Sequence, residues 1–148
     1  MARAEWALYG AHPWALQVLA TVQPPLAPSV LAGVERAMAA LDGTGADPLT
    51  VHRIAQSVLG QVQGIGLLRV SEIEAERGPS LGHWRAVTAP AALRPAGEEP
   101  YPRLAALEED PEAAADLDVL FEFGLARILD GVALLLGDGR EAPPAPRA

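Results

Sequence analysis

The sequence predicts an all-α domain on three observations. Proline and glycine cut the chain into segments of helical length. Two long segments, each opened by Asp-Pro, carry apolar residues at spacings of three, four and seven. No stretch alternates β-branched and polar residues as a half-buried strand would. With 148 residues, half of them apolar, the chain has enough material for one domain with a core.

Residues 3–9 read as a short helix stopped near Gly10, and residues 13–22 as a second helix opened by Pro13. Gln23-Pro24-Pro25 forces an extended break, because proline also disfavours helix in the residue before it. A third helix is expected from near Ser29 to Gly43, with Leu31, Val34, Met38 and Leu41 on one face. The fourth starts with Asp47 as cap and Pro48 at its first position, and runs to about Arg77 before Gly78-Pro79 ends it. Its apolar stripe is Val51, Ile54, Ala55, Val58, Val62, Ile65 and Ile73; Ser57, Gly60 and Gly64 lie opposite and admit a close neighbour.

Between Gly78 and Pro102 five prolines interrupt any sustained helix. Short turns over residues 81–87 and 103–109 are expected there, within a connection. The last helix, residues 110–136, begins with Asp110 as cap and Pro111 in its first turn. Leu117, Leu120, Phe121, Leu125, Ile128, Leu129, Val132, Leu135 and Leu136 then cover far more of its circumference than the stripe of about 100° that one neighbour requires. One side should pack on its own domain and the other on a second chain. The domain is expected to span residues 1–137, followed by a disordered, proline-rich tail over residues 138–148.

Composition excludes several functions. Glu122, Arg127 and Asp130 interrupt the richest apolar segment, so no membrane span is expected, and residues 1–7 lack the basic and apolar regions of a signal peptide. A cytoplasmic location is the expectation. Without cysteine there is no disulfide, thiolate metal site or thiol nucleophile. A formal charge of −8, with no basic run, argues against this chain binding DNA by itself.

His12, His52 and His83 fall on different segments, so no metal site or cofactor is expected. Ser29, Ser57, Ser71 and Ser80 lack the context of a nucleophile elbow. The carboxylates Glu98, Glu99, Glu108, Glu109, Asp110 and Glu112 gather at helix ends and proline breaks, where solvation explains them. An enzyme is therefore not expected. His52, Gln56 and Gln63 form a polar row beside the stripe of the fourth helix, with Gln61 on the other flank. Such amides can orient a small ligand, and can equally face water. Trp14, near Trp6 and Tyr9, and Phe123 in the last helix complete the candidate ligand set. Ser57, Gly60, Gly64, Leu120, Gly124, Ile128 and Leu135 form the candidate dimer interface, since an apolar face of this extent is a liability on a monomer.

Two motifs carry a family resemblance: His12-Pro13-Trp14 opening a helix after a segment containing Trp6, and the run from Leu120 through Phe123, Gly124 and Ile128 to Gly131. In their order and spacing around the Gly60 helix they resemble the C-terminal regulatory domain of the Tet repressor family of bacterial transcription regulators, over residues 2–136. The resemblance implies a helical bundle whose fourth and last long helices pair with their copies in a homodimer, as a four-helix bundle. It also implies a small hydrophobic effector, bound among the earlier helices, that controls operator binding through an N-terminal helix-turn-helix domain. That domain is absent from this sequence, which begins inside what would be a family helix. The family's metal-assisted drug recognition finds no matching ligand set here. Gln61 and Gln63 add polarity to a helix usually more apolar in relatives. The leading expectation is the effector-binding and dimerisation domain of a repressor. The alternatives are a stand-alone module forming heterodimers with full-length relatives and, behind it, a small helical enzyme.

Overall fold

A computed structural model describes residues 1–21, 25–74 and 110–137, with His83, Val87 and Arg103 as single helical positions. Among the described residues every regular element is a helix: α1 (Ala2–Ala11), α2 (Trp14–Leu19), α3 (Pro28–Ala39), α4 (Pro48–Glu74), α5 (Pro111–Ala115) and α6 (Leu117–Gly137). α4 is the axis of the domain. α6 and α1 pack most extensively against it, with α3 and α2 making smaller contacts.

Gly10 does not stop α1, which continues to Ala11 and closes with the His12 amide donating to the Leu8 carbonyl at 2.7 Å. α2 is shorter than its sequence suggested, with Pro13 as the flanking residue rather than the first helical one. α3 begins at Pro28, and its expected apolar face is not a core face. None of its residues is buried, Leu31 is half exposed, and of the expected face only Val34 borders the cavity that α3 helps to wall. The turn after it places Gly43 and Gly45 at φ 78° and 80°, where a side chain would be strained.

Asp47 caps α4 as its sequence predicts. Its carboxylate accepts from the amides of Leu49 (2.9 Å) and Thr50 (3.2 Å), and the Thr50 hydroxyl donates to its other oxygen at 2.6 Å. These bonds, led by the hydroxyl, hold Asp47 below the usual carboxylate range. Ile54, Ala55, Val62 and Ile65 of the predicted stripe are buried, joined by Leu59, Gly66 and Val70. Gly66 belongs to the core because α1 and α2 come close there. A Cβ on it would lie 3.1 Å from the Tyr9 ring and 3.4 Å from Leu16.

The last helix is not continuous. Asp110 caps α5 by accepting from the Ala113 amide at 2.9 Å, but Asp116 leaves the helical region at ψ 107°. Its carboxylate accepts from the amides of Asp118 (2.9 Å) and Val119 (3.0 Å) and so starts α6 afresh. A short acid that bonds the backbone ahead of it competes with helix continuation, and here it ends one helix and caps the next.

The core joins Trp6 and Tyr9 of α1, Ala15 and Leu16 of α2, Val62, Ile65 and Val70 of α4, and Leu117, Phe121 and Leu125 of α6. Trp6 stacks on Phe121 with ring centroids 4.6 Å apart and planes 5° from parallel, and the Arg69 guanidinium lies 4.5 Å from the Trp6 ring centroid. Asp118 accepts from both Trp6 Nε1 (2.5 Å) and Arg69 (2.7 Å). Arg3 and Glu122 add a two-pronged ion pair, so α1 is clasped to α6 at two successive turns. Most of the expected connection and tail, including residues 75–82, 104–109 and 138–148, lies outside the described residues. So do the carboxylates Glu98, Glu99, Glu108 and Glu109.

Candidate functional site

A cavity of about 790 Å³ opens between α1, α3 and α4. Helical spacing builds each wall. α1 presents Ala4, Glu5 and Leu8, with Met1 just before them completing a run at i, i+3, i+4 and i+7, while Trp6 turns into the core. α3 supplies Val30, Gly33 and Val34, with Ser29 and Arg36 beside them; α4 supplies Gln56, Leu59 and Gln63; Leu19 and Thr21 close the end beyond α2. The volume and the mixture of aliphatic surface with a few polar groups suit a small organic molecule.

Polar atoms in this region are poorly satisfied from within the protein. Glu5 Oε2 and the Tyr9 hydroxyl are buried and have no hydrogen-bond partner among the described residues. Burial pushes the Glu5 carboxyl above the usual range, with the Met1 ammonium opposing it. Tyr9 is pushed up to about 12 by burial and then by the Glu5 charge, with the nearby Gln63 amide acting in the opposite direction.

The structure brings two of the five candidate ligand residues to this cavity, Gln56 and Gln63. His52 sits one turn before Gln56 and is exposed. Trp14 is 64% exposed beside His12, and Phe123 is 60% exposed on α6 beneath the Arg127 guanidinium; none of the three lines the cavity. Of the two glutamines that add polarity to α4, Gln63 faces the cavity and Gln61 lies against Gly124 of α6, where a Cβ would collide with its amide. Sequence reading missed Glu5, Leu8, Val30, Gly33 and Leu59. The signal was available in part, because Met1, Ala4, Glu5 and Leu8 share one helical face. Among the described residues no cluster of His, Asp and Glu could hold a metal ion, and no helix is long and apolar enough to cross a membrane.

The second candidate surface is the outer face of α4 and α6. Ser57, Gly60 and Gly64 are exposed, and a Cβ on either glycine would meet nothing within 4 Å. Leu120 is exposed, while Ile128 and Leu135 are half-buried and Gly124 is engaged by Gln61 within the same chain. Leu67 and Leu68 of α4 and Leu129 and Leu134 of α6 are likewise 48–66% exposed. Only the first three turns of α6 bury side chains in the core: Leu117, Phe121 and Leu125.

Residues 1–136 match the family model described as the tetracyclin repressor-like C-terminal domain. A curated relative, the HTH-type transcriptional repressor DrrR1 of Streptomyces coeruleorubidus, is 38% identical over 149 residues. That alignment covers 97% of this chain and 53% of the relative, so the chain spans about half the length of the relative it matches. No solved structure gives a significant match.

Proposed function

The chain belongs to the tetracyclin repressor-like C-terminal domain family, and on that premise we propose that it is the effector-binding and dimerisation part of a transcriptional repressor. The observation that carries the reading is the cavity between α1, α3 and α4, whose size and aliphatic walls fit a small, largely hydrophobic effector. Through Ala4, Glu5 and Leu8, α1 forms part of that wall, and through Trp6 and Arg3 the same helix is clasped to α6. An effector that displaces α1 therefore acts on the packing of α6 as well. In a protein that also carries a DNA-binding domain, it controls DNA affinity by binding the released state more tightly than the DNA-competent one.

The outer face of α4 and α6 serves a homodimer in this reading. Its apolar side chains are too many for a solvated surface, and its glycines leave room for a second pair of helices. The regulator acts on DNA through a domain outside this chain, works without membrane attachment and catalyses no reaction.

The cavity assignment is tested by thermal shift against a panel of apolar molecules, using the wild type and Gly33→Leu, which extends a side chain from α3 into open space. Compounds that raise the wild-type Tm should lose most of that effect in the variant. An unchanged shift would place their binding elsewhere. Sedimentation showing a monomer at micromolar concentration would remove the dimer from the proposal.

A further inference from the structure

We propose that the molecule taken by this cavity is an apolar compound bearing a protonated amine, and that Glu5 receives the amine. This rests on the cavity being the effector site. The walls near Glu5 are largely hydrocarbon, from Leu8, Val30, Val34 and Leu59. Into them α1 brings a single carboxyl group, whose Oε2 is buried and accepts no hydrogen bond from the described residues.

An unpaired carboxylate among aliphatic side chains is costly while it is charged, and burial accordingly shifts Glu5 toward its neutral form. The positive groups on the same walls do not complete it. The Met1 ammonium opposes the shift without abolishing it, Arg36 is exposed to solvent, and neither is ion-paired with Glu5 among the described residues. A ligand ammonium supplies what is missing: it pairs with the Glu5 side chain at the cavity wall, cancels its charge, and keeps further N–H groups for the side-chain carbonyl oxygens of Gln56 or Gln63 on α4. A ligand carboxylate would bring like charges together. A ligand hydroxyl could donate one bond but would leave the charge uncompensated. The formal charge of −8 adds a field that favours cations at long range.

The test compares two dansyl probes of nearly equal size, dansylcadaverine with its free primary amine and N-acetyl dansylcadaverine, which is neutral at that end. Dansyl emission is titrated with the wild type, Glu5→Gln and Gly33→Leu at about pH 8, where the amine stays protonated. The wild type should bind the amine roughly tenfold or more tightly than the acetylated probe, the range of a charge-assisted hydrogen bond. Glu5→Gln should erase that preference, and Gly33→Leu should weaken both probes. Equal affinity of the two probes for the wild type, or a preference that survives Glu5→Gln, would overturn the amine assignment and leave the cavity reading standing. If neither probe binds the wild type, or Gly33→Leu leaves both unaffected, the cavity reading falls and the amine assignment with it.

Discussion

Two carboxylates on neighbouring helices respond to folding in opposite senses, and the difference comes from what surrounds each. Asp118 is held below the usual carboxylate range first by the Trp6 indole N–H and then by Arg69, so its contribution to stability exists above its ordinary value and fades as pH falls through the depressed one. Trp6→Phe keeps a ring on Phe121 but removes that donor. It should cost about 1 kcal/mol at neutral pH, discounted for the exposure of Asp118, and the difference from wild type should shrink below about pH 4, as urea unfolding at pH 7 and pH 3 would show. Glu5 is the reverse case. Burial raises its carboxyl, so the folded state is favoured while Glu5 is protonated, and that advantage is lost as pH rises above its ordinary value through the raised one. Glu5→Gln should therefore melt a degree or more higher than wild type at pH 7, roughly 1–3 °C for a domain of this size, with the gap closing by about pH 4 in thermal melts. The sequence could nominate Glu5 only as a helical residue. Its chemical character comes from burial in the folded domain, which no local pattern encodes.

Among the elements, those with strong local signals were legible and those defined by competition were not. The Asp47-Pro48 start of α4 and the Asp110 cap of α5 stand where the sequence puts them, because a side-chain oxygen bonding backbone amides two or three residues ahead is a local event. The same chemistry at Asp116 was hidden within an otherwise continuous helical pattern, and it divides the expected single helix into α5 and α6. Asp116→Ala removes both acceptor contacts at the start of α6. The expected loss is about 1 kcal/mol, read from the urea midpoint at unchanged m-value. α3 shows the other limit: its periodicity predicted a buried face, yet none of its residues is buried, and of that face only Val34 borders the cavity. Periodicity reports which residues share a face and is silent on whether protein or a ligand covers it. For the same reason Gln56 and Gln63 were legible as a row without being legible as a wall.

For the whole molecule, the exposed apolar side chains of α4 and α6 and the two open glycines of α4 make, on the dimer proposal, a prediction with opposite signs for protomer and assembly. The sequence already separated the Ser57, Gly60 and Gly64 side of α4 from its core stripe, since the two lie on opposite faces of one helix. It could not show that Gly66, absent from that row, admits α1 and α2, or that Gly124 is occupied by Gln61 within the same chain. Gly60 and Gly64 therefore differ from Gly66 in having open space where a side chain would stand. In an isolated protomer, Gly60→Ala combined with Gly64→Ala should be neutral or stabilising, because alanine is favoured over glycine in a helix interior by about 1 kcal/mol per position. In a close-packed dimer the added methyl groups would hold two helices apart and weaken dispersion contacts along the seam. The double variant should thus sediment as a monomer at concentrations where the wild type is dimeric, and its Tm should lose its dependence on protein concentration. Gly66→Ala supplies the contrast, since its methyl group would press on Tyr9 and Leu16 and lower stability at every concentration. If the double variant instead dimerises as tightly as wild type, the seam lies away from these glycines and the apolar side chains of α6 must form it alone.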